Sequence, residues 1–317
     1  MIKEVLTWIE IPGNGQAAAL IAGVTGIVSV IIGALLKLVF DNSSVNHKVK
    51  FEYSFSQRTS IKTVLSKSKT PLIKACEELN YRLWNLRSHI DERWHNIPEV
   101  EWRDSERYYL RSFVYRILLF WYWLQKSEDS IYNLDFSTAD RGDRKYLKYV
   151  KTLKHFLCER ELLKELGYGP NGKGHHFYKD DIPKYVGYIS HNDKPLSYPE
   201  FEALFREDLS QIIDVVRFVT CIRNNRRNLN YNMIMCFHLF LMRFLNEYGL
   251  DYHKTNLIKY IRITNYYHPK IKIHDSLRKF LKRNKVGRMA SILLGVLSQK
   301  VTKRKLNKSL RIGRSLR

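Results

Sequence analysis

The chain has 317 residues, and its 54 lysines and arginines against 31 aspartates and glutamates give a formal net charge of +23. Aromatic residues make up 13% of it, which excludes a disordered chain, and four cysteines are too few for a disulfide-rich scaffold. The length allows one large domain or two small ones. The excess of positive charge favours an anionic partner.

The first predicted element is a transmembrane helix over residues 16–39. Apart from Lys37 this stretch is uncharged, and about 20 such residues at roughly 1.5 Å each cross the hydrocarbon core of a bilayer. The apolar part is too long for a secretory signal, and residues 1–15 hold one lysine against two glutamates instead of a basic start. A buried core helix of this length without charge is unusual.

The distribution of basic residues predicts the orientation of this span. Lys3 precedes it, and the other 53 of the 54 basic residues lie within it or after it. Because basic residues stay on the cytoplasmic side, the short N-terminus is expected outside and the main domain in the cytoplasm. The cysteines are scattered singly, as in a reducing compartment. They are Cys76, Cys158, Cys221 and Cys236.

Small residues recur on one face of the predicted span, at steps of four, three and four. They let two backbones approach closely, which holds transmembrane helices together in lipid. The sequence therefore predicts self-association into a homo-oligomer, the alternative being that small residues are simply common in spans. The predicted contact residues are Ala22, Gly26, Ser29 and Gly33.

Residues 40–69 are predicted as a linker or short strand, because Lys48 to Phe55 alternate between polar and apolar. Continuation of the membrane helix remains an alternative. A new helix is predicted from Thr70, with Pro71 at its first position. Its apolar residues recur at steps of four and three, so it packs along another helix. These residues are Leu72, Cys76, Leu79, Leu83, Leu86 and Ile90.

The rest of the sequence predicts helices joined by loops. The helix from about Ser105 to Lys126 is apolar nearly all round at its centre, so Arg116 is predicted to be a buried cation that needs a carboxylate or backbone carbonyls. Ser197 and Glu200 form a capping box that opens another helix. The further predicted helices are 144–166, 197–223, 231–248, 255–267, 276–284 and 288–299. The predicted fold class is mainly α, with one N-terminal transmembrane helix followed by a multi-helix cytoplasmic bundle over residues 70–275.

Residues 276–317 contain 14 lysines and arginines and no acidic residue. On a protein tethered to a membrane, the expected partner of this basic C-terminal segment is the anionic lipid headgroup, at about 1 kcal/mol per basic residue. Nucleic acid is the alternative partner, and a solvated tail without a partner is another. The residues predicted to bind the anionic surface are Lys300, Lys303, Arg304, Lys305, Lys308, Arg311, Arg314 and Arg317.

One enzymatic alternative rests on Arg82 with His89 and on Arg262 with His268. Their spacing is similar to that in HEPN-type ribonucleases, all-α proteins that dimerise into a composite site. Histidine would transfer protons and arginine would stabilise phosphate charge. Chance matches are expected among 54 basic residues and 11 histidines. The preferred hypothesis is therefore binding and assembly, and a membrane-tethered ribonuclease or nucleic-acid binder, compatible with phage defence, is the alternative.

Two other motifs do not predict a ligand. The segment Gly167–Gly174 lacks the spacing and the final Ser or Thr of a P-loop. Four histidines have no acidic or cysteine partner at ligand spacing, so no metal and no cofactor are predicted. They are His155, His175, His176 and His191.

Four segments that follow the single span resemble a group of bacterial single-span proteins of unassigned function. The segments are Pro71–Leu86, Arg107–Leu124, Phe205–Leu209 and Asn246–Asn256. The resemblance covers most of residues 15–260 and implies a bacterial origin, one span and therefore a location in the bacterial inner membrane. It supplies no active-site residues.

Overall fold

The computed structural model describes residues 13–104, 107–130, 135–168, 174–225, 227–264 and 273–286. The chain divides into two compact units, residues 1–59 and 60–317. The described elements are almost all helices, which confirms the mainly α fold class.

Helix α1 covers Gly13–Ser88. Within the first unit it carries the segment Ile21–Leu38, which is long and apolar enough to cross a membrane and has no buried residue. The two hydroxyl side chains of this segment are satisfied within the helix: the Thr25 hydroxyl donates to the Ile21 carbonyl at 2.6 Å, and the Ser29 hydroxyl to the Thr25 carbonyl at 2.7 Å. Hydroxyls bonded in this way do not need water.

Residues 40–69 are helical, which corrects the prediction of a linker or short strand. Lys48 and Glu52 form an i,i+4 ion pair at 4.0 Å, and the rings of Phe51 and Phe55 stack at 6.4 Å. Both pairs are helical neighbours, so the alternation in sequence coincides with helical spacing. Pro71 lies inside α1, so the predicted helix start at Thr70 is wrong. Because proline has no backbone N–H, α1 lacks one intrahelical hydrogen bond at this position.

In the second unit, α1 buries the predicted apolar stripe. The stripe also begins earlier than predicted, because Ile61 and Leu65 are buried on the same face. Its other buried members are Leu72, Cys76, Leu79, Leu83, Leu86 and Ile90.

The remaining helices are short to medium in length. They are α2 (Tyr108–Asp129), α3 (Arg141–Lys154), α4 (Ile182–Tyr188), α5 (Tyr198–Glu207), α6 (Ile213–Thr220), α7 (Leu229–Tyr248), α8 (Leu257–Thr264) and α9 (Ile273–Arg283). Strands β1 (Ser190–His191) and β2 (Lys194–Pro195) form an antiparallel hairpin in which Ser190 pairs with Pro195. The turn residues Asn192 and Asp193 both have positive φ, which two-residue hairpin turns require.

Helices α2 and α7 form the centre of the core. Helix α2 contacts α3, α4, α5 and α6, while α7 contacts α3 and α8. The rings of Phe120 on α2 and Phe237 on α7 meet at 5.3 Å. As predicted for the segment 113–124, α2 is buried along most of its length, and α7 is buried nearly all round.

Two predicted helices are interrupted. The helix predicted over 144–166 ends at Lys154 and continues as short 3₁₀ turns, after which Gly167 takes the left-handed conformation. The capping box of Ser197 and Glu200 is confirmed, but its helix stops at Glu207. The Asp208 carboxylate accepts hydrogen bonds from the backbone and hydroxyl of Ser210, and such local bonding competes with helix. The helix predicted over 288–299 lies outside the described residues.

Candidate functional site

The C-terminal end of α1 carries the arginine and histidine of the first predicted catalytic pair. Arg82 is buried, its Nη2 donates to the Ser112 hydroxyl at 2.8 Å, and its guanidinium lies 4.5 Å from the centre of the Tyr109 ring. A guanidinium held by a hydroxyl and an aromatic face is already solvated by the protein. Because Arg82 is buried, binding a phosphate would compete with these contacts.

His89 lies two helical turns further on and is exposed. Its ring stacks on Trp94 at 5.1 Å, and Trp94 in turn lies 5.5 Å from Tyr109. Arg82 and His89 therefore lie at the two ends of an aromatic row formed by Tyr109 and Trp94. The described residues show no hydrogen bond or ion pair between them.

The second predicted catalytic pair is described only in part. Arg262 on α8 is exposed, and its backbone carbonyl accepts a hydrogen bond of 2.9 Å from Nη2 of Arg87. His268 lies outside the described residues, so the geometry of this pair stays a prediction.

A polar cluster that the sequence did not indicate joins α1, α7 and α8. His238 is completely buried, its Nε2 donates to Asn80 Oδ1 at 2.9 Å, and its ring meets Trp84 edge-on at 4.9 Å. Burial, together with the repulsion of a second positive charge by the nearby Arg87, lowers the pKa of His238 to about 3. His238 is therefore neutral near pH 7.

Two cations flank the half-buried indole of this cluster. The Lys259 ammonium lies 5.6 Å and the Arg87 guanidinium 5.8 Å from the centre of the Trp84 ring. Each distance is within the range of cation–π attraction. The arrangement fixes α8 against the end of α1 and leaves Lys259 exposed.

The buried cation of α2 is Arg111, which corrects the prediction for Arg116. Arg116 is partly exposed and donates to the backbone carbonyl of Ser112. Arg111 is 1% exposed and lies 2.8 Å from the carboxylate of Glu202 on α5, which also pairs with Arg206 at 3.0 Å. The two arginines lie on different faces of α2, and only tertiary packing determines which face is covered.

A groove of about 400 Å³ opens beside α1, α2 and the hairpin. Its polar groups already serve the fold: the Tyr115 hydroxyl donates to the Leu196 carbonyl at 2.9 Å, and Glu200 accepts from Ser197 in the capping box. None of the predicted catalytic residues lines it.

The small-residue face of α1 is open. Ala22, Gly26, Ser29 and Gly33 are exposed in the first unit. A Cβ atom added at Gly26 or Gly33 would meet nothing within 4 Å. A larger side chain at either position would therefore leave the isolated helix undisturbed.

The four histidines weighed as metal ligands lie in ordinary polar contacts or on the surface. His175 Nδ1 lies 2.5 Å from Asn230 Oδ1, and His176 Nδ1 lies 2.7 Å from the Tyr168 hydroxyl. Burial lowers the pKa of His155 to about 4, and His191 is exposed. Among the described residues, no group of three or more His, Cys, Asp or Glu side chains could hold a metal ion.

The eight residues predicted to bind an anionic surface, Lys300 to Arg317, lie outside the described residues. Helix α9 forms the described start of the basic segment, and its charges are partly paired: Arg278 lies 3.7 Å from Asp275, and Arg283 pairs with Glu159.

Comparison with protein-family models, with curated proteins and with solved structures finds no match for this chain. The fold and surface define a helical protein with one exposed apolar helical segment near its N-terminus.

Proposed function

We propose that this chain is a bitopic protein of the bacterial inner membrane, with its N-terminus outside and its basic helical domain in the cytoplasm. It acts by binding and assembly, self-associating through the span and holding its domain against anionic lipid. The observation that carries the proposal is the segment Ile21–Leu38, whose apolar side chains are all exposed. A surface of this kind is stable in lipid and costs free energy in water.

Self-association is supported by the open face of Gly26 and Gly33. Helices in lipid associate through close backbone contact, and the absence of neighbours around both glycines leaves room for a second helix. One span by itself can anchor or associate, so a second copy of the chain is the simplest partner in the bilayer.

The test of assembly replaces Gly26 and Gly33 with leucine in the full chain. Leucine side chains would hold the backbones apart, so we expect the oligomer to dissociate, measured by energy transfer between labelled copies in bilayers. The matched control is Val24→Leu with Ile31→Leu on the opposite face, which keeps the small residues. Equal energy transfer in both variants would exclude this face as the interface.

Lipid binding by the domain is tested with the full chain held in a zwitterionic nanodisc, where the span is already covered. We expect vesicles that contain phosphatidylserine, and not purely zwitterionic vesicles, to carry the nanodiscs upward in a flotation gradient at low salt. Replacing the eight basic residues from Lys300 to Arg317 with glutamine should remove most of this binding. Flotation that is unchanged in the variant would contradict a lipid-binding role for these residues.

We do not adopt the ribonuclease alternative for Arg82 and His89. The Arg82 guanidinium is engaged by Ser112 and Tyr109, whereas an arginine that stabilises a phosphate transition state must be free to contact it. The decisive measurement is RNA cleavage by the full chain with His89→Ala and His268→Ala as variants.

A further inference from the structure

Helix α3 has a concentrated positive charge on its outward face. Between Arg141 and Lys154 it contains six basic residues and one acidic residue. Four of the basic residues are exposed and follow one another at steps of three, four and three, which places them on one side of the helix. They are Arg141, Arg144, Lys148 and Lys151, here called the α3 basic row. The opposite side is buried through Tyr146, Tyr149, Val150 and Leu153.

The other two cations of α3 form ion pairs with neighbouring helices. Lys145 pairs with Glu247 on α7, and Lys154 pairs with Glu128 on α2. Both point towards neighbouring helices, and both find a carboxylate there. None of the four residues of the α3 basic row forms an ion pair with any residue that the structure describes.

Repulsion within the α3 basic row lowers the stability of helix α3. Like charges three and four residues apart on a helix repel each other by a few tenths of a kcal/mol per pair. The acidic residues at the start of the helix do not pair with the row: Asp140 caps α3 and lies 3.7 Å from Lys62, and Asp143 is partly buried. In the last two turns, Lys148 and Lys151 therefore have no ion pair with a described residue, whereas Lys154 is paired with Glu128. An anion would relieve the repulsion along the row.

We propose that the α3 basic row binds the sugar–phosphate backbone of a nucleic acid. The four charges lie in a line of about 15 Å, at 1.5 Å per residue, which suits a linear array of phosphates. Amphipathic helices that lie in a lipid surface insert an apolar face into the bilayer, and α3 cannot bind lipid in this way because its apolar face is buried in the core. The row contains no aromatic residue, so the binding is electrostatic and independent of base sequence.

This site uses residues different from those of the lipid-binding segment, and it stands or falls independently of the proposed function. The test uses the full chain in a zwitterionic nanodisc and a labelled 20-nucleotide single-stranded RNA. The variant replaces Arg141, Arg144, Lys148 and Lys151 with glutamine. Each phosphate contact on a single strand contributes about 0.7 to the slope of log affinity against log salt concentration.

We expect the slope of this variant to be shallower by about 3, and its affinity at 0.1 M salt to be lower by a factor of about 100 to 1,000. The matched control replaces four exposed lysines on other parts of the surface with glutamine and removes the same net charge. It should change the slope by less than 1. These lysines are Lys164, Lys179, Lys184 and Lys194.

A second variant, Arg141→Lys with Arg144→Lys, keeps the charge and should keep the slope, which separates charge from loss of folding. Equal losses in the glutamine variant and the control would overturn the proposal, because net charge alone would then explain RNA binding. The proposal also fails if the glutamine variant loses binding to phosphatidylserine vesicles while it keeps RNA binding. In that case the α3 basic row binds anionic lipid and not nucleic acid.

Discussion

Arg111 and His238 show how burial changes the role of a polar side chain in this protein. Arg111 remains buried because Glu202 lies 2.8 Å away, and a buried charge without such a partner is strongly unfavourable. His238 has no carboxylate partner among the residues that the structure describes and stays neutral near pH 7, with its pKa lowered to about 3. Both side chains support the packing of helices α1, α2, α5 and α7.

Arg111→Ala should lower the free energy of unfolding by about 3 kcal/mol. This is the lower end of the range for breaking a buried ion pair, because Glu202 keeps Arg206 and is partly exposed. Chemical denaturation of the full chain in detergent provides the measurement. Arg116→Ala, on the partly exposed face of the same helix, serves as the control and should cost about 0.5 kcal/mol. Similar losses in both variants would contradict a special role for Arg111.

The low pKa of His238 predicts a loss of stability in acid. The folded pKa is about 3 and the ordinary value is 6.5, so the unfolded chain binds a proton at this residue throughout the interval between them. Stability is therefore complete above pH 6.5 and falls as the pH decreases towards 3. From pH 7 to pH 5 this one histidine should cost about 2 kcal/mol.

The measurement compares this pH-dependent loss in the parent chain and in His238→Gln. The variant should lose about 2 kcal/mol less between pH 7 and pH 5, whatever its stability at pH 7. A smaller loss should persist, because burial also lowers the pKa of His95 and His155. Exposed His89→Gln should behave like the parent chain. An unchanged pH profile in His238→Gln would show that His238 is not the responsible group.

At the scale of elements, α1 has two kinds of surface along one continuous helix. Residues 21–38 are apolar and exposed, whereas Ile61 to Ile90 present a stripe that is buried in the second unit. The stripe repeats at steps of three and four, the spacing of helices that pack side by side. Most of the stability of this part of α1 therefore comes from packing and not from helix propensity.

Leu79→Ala should lower the free energy of unfolding by about 2–5 kcal/mol, the usual cost of removing a buried leucine side chain. Leu79 is 1% exposed, whereas Tyr81, two residues further along α1, is 75% exposed. Tyr81→Ala should therefore change stability by about 0.5 kcal/mol or less. Comparable effects at the two positions in thermal unfolding would contradict the assigned face of α1.

At the scale of the whole molecule, the proposed span predicts how the chain partitions between membrane and water. Each arginine at the centre of a span costs about 2.5–3.5 kcal/mol of insertion free energy. Ile27→Arg with Ile31→Arg should therefore release the full chain from membranes washed with alkaline carbonate. The measurement is the pelleted fraction.

The control for this experiment is Phe51→Arg with Phe55→Arg. These rings are 70% and 64% exposed, as apolar and open as the side chains of the span, but they lie outside the segment Ile21–Leu38. The control should stay in the pellet. Retention of the Ile27 and Ile31 variant in washed membranes would contradict the proposed span.

Much of the fold followed from local patterns. The capping box of Ser197 and Glu200 and the heptad-like stripe from Leu72 to Leu86 depend on neighbours within one or two turns. The end of α7 at Tyr248 agrees with the predicted end of the helix 231–248, and in the structure a Cβ atom at Gly249 would lie 2.6 Å from the Leu245 carbonyl oxygen.

Other features were beyond the sequence because distant residues decide them. Residues Lys48 to Phe55 alternate in polarity, a pattern compatible with both a strand and a helix, and only the structure shows the i,i+4 pairs of a helix. Arg82 and His89 have the sequence spacing of a catalytic pair. In the structure, however, the Arg82 guanidinium packs on the ring of Tyr109 and the His89 ring stacks on Trp94. The cluster of His238, Asn80 and Trp84 joins residues more than 150 positions apart.

By itself the sequence determined the mainly α class, the apolar segment near the N-terminus and the excess of positive charge, because composition and short-range periodicity encode all three. Only the tertiary structure decided that Arg111 rather than Arg116 is the buried cation. It also showed that Lys145 and Lys154 of α3 form ion pairs with neighbouring helices, whereas the α3 basic row forms none with a described residue. The reason is that burial and pairing depend on which face of a helix another helix covers, and spacing along one chain does not specify the partner.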